Sequence, residues 1–184
     1  MALILDFKTE NQLYADFISV INQAFNLFSI QDWQIRQLKQ AFKTNVLPPT
    51  VFLSILDQPQ NGSLQFIDKK EKGVATRKNI IKQESTIRFS ATRIEQATDT
   101  VQTYNGADIL KLILGYMQTL EGIKYIKSLG YAQYKASAVN SMDFQNDSDN
   151  FQMMPYFDLT FLYTNSFENS VNEITKTRFN IYRI

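Results

Sequence analysis

The densest run of ionisable side chains is DKKEKGVATRKN, residues 68–79. Lys69, Lys70, Lys72, Arg77 and Lys78 outweigh Asp68 and Glu71 there. Such a cluster can meet phosphate oxygens or an acidic protein surface through charge alone. It contains no aromatic ring on which a base could stack, so it is a weak nucleic-acid motif. The plainer reading is a basic loop that keeps a hairpin tip soluble. A second cluster, DFQNDSDN, places Asp143, Asp147 and Asp149 in one stretch. It resembles part of a calcium loop, but the turn glycine and the closing glutamate are missing. Asp, Asn and Ser favour turns, so a solvated connection is expected and no metal ligand is assigned. NGAD, residues 105–108, offers free backbone N–H groups to an anion but lacks the glycine pattern of a phosphate-binding loop. It reads as a helix cap.

The chain has no Cys and no His. Thiol nucleophiles, disulfides, thiolate zinc sites and imidazole acid–base catalysis are therefore excluded. Asp, Glu, Lys and Tyr remain, yet no carboxylate pair can be set beside a base, a nucleophile or an oxyanion donor. A non-enzymatic role without cofactors is expected. The net charge of +1 argues against a dedicated nucleic-acid coat. With 184 residues, 44% hydrophobic and 13% aromatic, the chain can build one sizeable core. The start, MALILDFKTE, is not read as a signal peptide, because it lacks a basic leader and meets Asp6 early. The apolar run ILKLILGYM is far below bilayer length, so no membrane partner is expected.

The elements that must position these groups follow from periodicity. Leu13, Phe17, Val20, Ile21, Ala24 and Phe28 recur at helical steps behind a Thr9/Gln12 capping box. Residues 31–45 fit either a short helix or, through Trp33, Ile35 and Gln37, an extended segment. Pro48 and Pro49 stop any helix there. TVFLSILD reads as a buried strand and LQFID as a second, with the basic loop joining antiparallel neighbours. ESTIRFSATRI alternates, with Ile87, Phe89 and Ala91 on one face and Thr86, Arg88, Ser90 and Thr92 on a wet one. A second helix opens at Asn105. It is apolar almost all round apart from Lys111, Gly115 and Gln118, which predicts burial on several sides. Gly122 is expected to break it and Gly130 to end the short turn that follows.

YAQYKASAV reads as a strand with Gln133, Lys135 and Ser137 on one face. NSMDFQNDSDNFQM reads as a long polar connection. PYFDLTFLY reads as a strand with Phe157, Leu159, Phe161 and Tyr163 on one face. ITKTRFNIYRI alternates to the end, so Phe179 and Ile181 could pair with a neighbouring sheet edge as an assembly strand. The fold class is α+β: a mostly antiparallel sheet covered on one face by two helices, with a C-terminal strand or arm. The organisation is one domain over 1–165 and the arm over 166–184.

Taken together, the N-terminal amphipathic helix, NVLPPTVFLSIL, STIRFSATRI, NGADILKLILGYM and LGYAQYKASAV resemble the bacteriophage tail terminator, or neck terminator, proteins over about residues 9–165. The resemblance implies a virion protein, assembled in the host cytoplasm as a homohexameric ring. Its partners would be its own copies, the tail tube protein, the head-side connector and DNA passing through the lumen. Lys69, Lys70, Lys72, Arg77 and Lys78 would then face a partner or DNA. Thr86, Arg88, Gln133 and Lys135 would line the lumen or a wet subunit contact. Other readings are a different tail-completion or head–tail joining protein, a small enzyme without His or Cys, and a small DNA-binding module.

Overall fold

The computed structural model describes residues 4–6, 8–38, 49–57, 65–71, 74–93, 104–145 and 151–171. Helix α1, Glu10–Leu27, begins as its sequence requires. The Gln12 N–H donates to Thr9 Oγ1 at 3.3 Å, and the Thr9 N–H donates to Gln12 Oε1 at 2.8 Å. Its buried face is Leu13, Tyr14, Phe17, Val20, Ile21, Ala24 and Phe25. The ambiguous segment after it is extended at β2, Gln34–Gln37, which pairs in parallel with β3, Thr50–Asp57.

A short strand, β1, Ile4–Asp6, precedes α1 and was not foreseen. The basic stretch is a hairpin of β4, Gln65–Glu71, and β5, Val74–Thr92. The polar connection expected over 140–153 is instead largely strand: β7, Asn140–Gln145, and the start of β8, Phe151–Val171. Between β5 and β7 in chain order come α2, Gly106–Gln118, α3, Leu120–Ser128, and β6, Tyr131–Ala136.

Among the described residues the eight strands form one sheet, antiparallel except for β2 with β3. Its spine is the β5–β8 pair, in unbroken register from Ala75↔Val171 to Ser90↔Tyr156. At about 3.3 Å per residue this spine is roughly 50 Å long. On the far side of β5, β4 pairs with its first part and β3 with its last. On the far side of β8 lie β7, β6 and β1 in turn. The helices cover one face of the later half of β5. Ile87, Phe89 and Ala91 are fully buried there beside Phe157, Leu159 and Phe161 of β8. Phe17 of α1 sits with its ring centroid 4.7 Å from Phe161, 5.2 Å from Tyr131 and 5.9 Å from Phe89. Each such ring contributes about 1.5–3 kcal/mol through burial, which is why the aromatic positions hold helix to sheet.

Helix α2 is capped as expected, with the Asp108 N–H donating to Asn105 Oδ1 at 2.9 Å. It ends earlier than expected. The break is at Thr119, which is extended and caps α3 by accepting the Gly122 N–H at 3.0 Å. Gly122 lies buried inside α3 rather than breaking a helix. Gly130 closes α3 at φ +88°, the left-handed conformation that favours glycine. Ile109, Leu110, Ile113, Tyr116 and Met117 face the core, with Leu112 and Leu114 packed against it in part. Lys111, Gly115 and Gln118 form an exposed stripe. The apolar surface of α2 is thus largely accounted for within one chain, and does not by itself call for assembly. Among the described residues no helix is long and apolar enough to cross a membrane.

Candidate assembly surfaces

The cationic stretch is held as a ribbon, not as a loop. Asp68 of β4 stands opposite Arg77 of β5. The Arg77 Nε donates to Asp68 Oδ1 at 2.7 Å and its Nη2 to Oδ2 at 2.9 Å. The same guanidinium lies 5.0 Å from the centre of the Phe66 ring. The paired bonds hold the Asp68 carboxyl below the usual carboxylate range and push Arg77 up. Arg77 therefore staples the two strands. Lys69 is exposed and Lys78 half-exposed, and their pairing positions put them on the face opposite Arg77. Lys70 falls in β4, and Lys72 lies outside the described residues.

The helix-free face repeats the same device at the other end of the spine. Arg88 of β5 stands opposite Asp158 of β8, with Nε to Oδ1 at 2.8 Å and Nη2 to Oδ2 at 2.9 Å. Its guanidinium lies 4.2 Å from the Tyr156 ring. The Asp158 hydrogen bonds push Arg88 up, and burial opposes them. In both places an aromatic residue sits two positions before the aspartate: Phe66 before Asp68, Tyr156 before Asp158. Both arginines come from β5, eleven positions apart, so they occupy opposite faces of the strand. Sequence reasoning singled out the arginines and missed their partners. The available signal was an aromatic-x-Asp triplet in each neighbouring strand, but only register shows which arginine it meets.

Thr86, on the Arg88 face, shares a hydrogen bond with Thr160 at 3.0 Å. Lys135 of β6 pairs with Thr160 and is exposed, so Thr86, Thr160 and Lys135 share one row. Gln133 lies within β6 where the register shifts between Ala132 and Lys135. That shift breaks the strict alternation read from YAQYKASAV. Phe179 and Ile181 lie outside the described residues.

A polar knot joins α1 to the sheet. The Tyr131 hydroxyl donates to Asp16 Oδ2 at 2.6 Å, and Lys8 Nζ donates to the same oxygen. Lys8 Nζ also lies 4.4 Å from the Tyr131 ring centre. The Lys8 N–H donates to Asn165 Oδ1 at 2.9 Å, and Asn165 donates in turn to Gln83. Burial first, then the bond to Asp16, pushes Tyr131 far above the ordinary phenol range. Burial likewise raises Tyr116, Tyr134 and Tyr163. These phenols stay neutral and are ill suited to act as bases. Among the described residues no three acidic side chains gather as metal ligands. Asp143 sits in β7 opposite Met153, while Asp147 and Asp149 lie outside the described residues.

Chemically, the described surfaces offer charge, hydrogen bonds and strand edges. No curated protein matches the chain. A family model, the E217 gateway protein gp29, matches residues 12–173, which run from α1 past the end of β8. The match agrees with the tail-terminator resemblance carried by the sequence motifs. The chain belongs to the family of the E217 gateway protein gp29, a family of phage structural proteins.

Proposed function

We propose that this protein forms a ring, a homohexamer, that ends the tail tube and joins it to the head-side connector. The observation that carries this reading is the gateway-family match over residues 12–173, which takes in strands β2 to β8, nearly all of α1, and α2 and α3. The protein would act in the virion after assembly in the host cytoplasm, with DNA passing through the lumen. The helix-free face, with Thr86, Arg88 and Lys135, and with Gln133 in the same strand as Lys135, would line that lumen or a wet contact between copies. Phosphate contacts of this kind need charge and no base readout. Residues 1–165 would form the ring body and 166–184 an arm, with Phe179 and Ile181 pairing onto a neighbour. Strand β8 runs on to Val171 and pairs with β5 to that point, so the arm would begin within the spine and leave the sheet beyond it.

The basic hairpin would project toward an acidic tube or connector surface, or toward DNA in transit. Arg77 is committed to Asp68, so the lysines are the charges to test. Replacing Lys69, Lys70, Lys72 and Lys78 with Ser, with Arg77 kept, should leave the melting temperature unchanged and leave heads and tails unjoined. Normal joining by that variant would remove the role assigned to the hairpin. Negative-stain imaging of the protein, alone and on tail tubes, should show six-membered rings. Particles that never form rings, alone or on tubes, would favour a different joining factor.

A further inference from the structure

The two outer edges of the hairpin end of the sheet match each other. In this region the strand order is β4, β5, β8, β1, every pair antiparallel. Consequently β4 and β1 run in opposite directions at opposite edges. They also lie on the same rows. Phe66 pairs with Asn79, Asn79 with Phe167, and Phe167 with Leu5. Ile67 pairs with Lys78, Lys78 with Glu168, and Glu168 with Ile4. Gln65, Ile80, Ser166 and Asp6 form the third row. Among the described residues neither outer edge has a strand on it.

The β4 edge is costly to leave open. It spans seven residues, and its Phe66 and Ile67 are 60% and 46% exposed, one on each face of the strand. Unpaired backbone groups beside exposed large apolar side chains are a template for another strand. Resting on the ring reading above, we propose that the β4 edge of one copy pairs with the β1 edge of the next. Rotation about a ring axis preserves both strand direction and sheet face. It would therefore set β1 antiparallel to the neighbour's β4 and continue the alternation already present. Rows then match by residue type, with Leu5 in the row of Phe66 and Ile4 in the row of Ile67. The contact is head to tail, as a closed ring requires, and closure leaves no edge of this kind exposed. The Asp68–Arg77 pair gives the projecting edge a fixed shape before it docks.

The chain has no Cys, so engineered thiols report without background. A Leu5→Cys, Phe66→Cys double variant, treated with a short bismaleimide, should give a covalent ladder ending at the ring. The two single variants should give dimers only when mixed. Ile67→Glu places a charge opposite Lys78 within its own chain, yet on the apolar row of the contact. It should keep the wild-type melting temperature and weaken self-association at least about tenfold. Rings that form while the thiols never link between chains, with Ile67→Glu assembling normally, would overturn this edge assignment and leave the ring standing. Failure of the wild type to form rings, even on tubes, would overturn both.

Discussion

Replacing Gly122 with Ala sets helix propensity against backbone crowding, and the structure decides the sign. Gly122 lies in the first turn of α3, next to the end of α2. The junction is tight because the Tyr116 carbonyl oxygen accepts twice, from the Thr119 N–H at 2.9 Å and the Thr119 hydroxyl at 2.7 Å. A Cβ on Gly122 would overlap that oxygen, and would stand 2.9 Å from the Tyr116 carbonyl carbon and 3.1 Å from Met117 Cα. All three are backbone atoms, so no side-chain rotation relieves the contact. Propensity favours Ala by about 1 kcal/mol. Overpacking costs about 1–3 kcal/mol, and each junction hydrogen bond pulled apart costs about 0.5–1.5 kcal/mol more. The net expectation is a loss of about 2–4 kcal/mol, which for a chain of this size lowers Tm by roughly 4–16 °C. Gly115 supplies the control. It is exposed in α2, and a Cβ there meets nothing within 4 Å. Gly115→Ala should therefore gain about 0.5–1 kcal/mol and raise Tm by about 1–4 °C. Thermal melts followed by far-ultraviolet circular dichroism compare the two directly. If Gly122→Ala raised Tm as Gly115→Ala does, the close approach of α3 to α2 would be wrong.

Arg88→Ala should cost about 1–3 kcal/mol, since it strips two charged hydrogen bonds from a partly buried Asp158. A urea double-mutant cycle with Asp158→Ala should show coupling of at least about 0.5 kcal/mol, and additivity would mean the pair is incidental. Tyr131→Phe keeps the core ring but deletes the hydrogen bond to Asp16, for an expected loss of about 1.5–3 kcal/mol. Because Tyr131 is raised on folding, its contribution is full below the unfolded phenol value of about 10 and falls as pH climbs toward the folded value. Wild-type stability should thus decline above about pH 10, and Tyr131→Phe should decline less. Asp68 behaves in the opposite sense: it is lowered on folding, so its contribution is present above about pH 4 and is lost as pH falls through the folded value. Amide protection in β4, corrected for the intrinsic exchange rate at each pH, should therefore fall in acid before protection in α1 does, and Asp68→Asn should remove that difference.

Much of the fold is written locally. The Thr9/Gln12 box, the Asn105 cap and the left-handed Gly130 are short-range geometry, so residue types alone placed them. TVFLSILD coincides with β3, and the alternation through Ile87, Phe89 and Ala91 and through Phe157 to Tyr163 named the helix-covered face. The gateway-family match runs through β3, β5 and β8. Other features depend on distant partners. Thr76 to Asn79 and Thr164 to Ser170 look like loop in isolation, and become strand because β5 and β8 supply each other's backbone hydrogen bonds whatever the side chains. The α2–α3 break moved from Gly122 to Thr119 because the hydroxyl found a helix end to cap, while the glycine was needed for contact. Most of all, register decided the chemistry of the charges. Arg77 and Arg88 read as free cations in a one-dimensional string. Strand pairing set an aspartate opposite each and an aromatic ring beside it, and it set β1 and β4 on common rows. A one-residue slip in any of these pairs would have turned those side chains to the other face, and no local pattern carries that information.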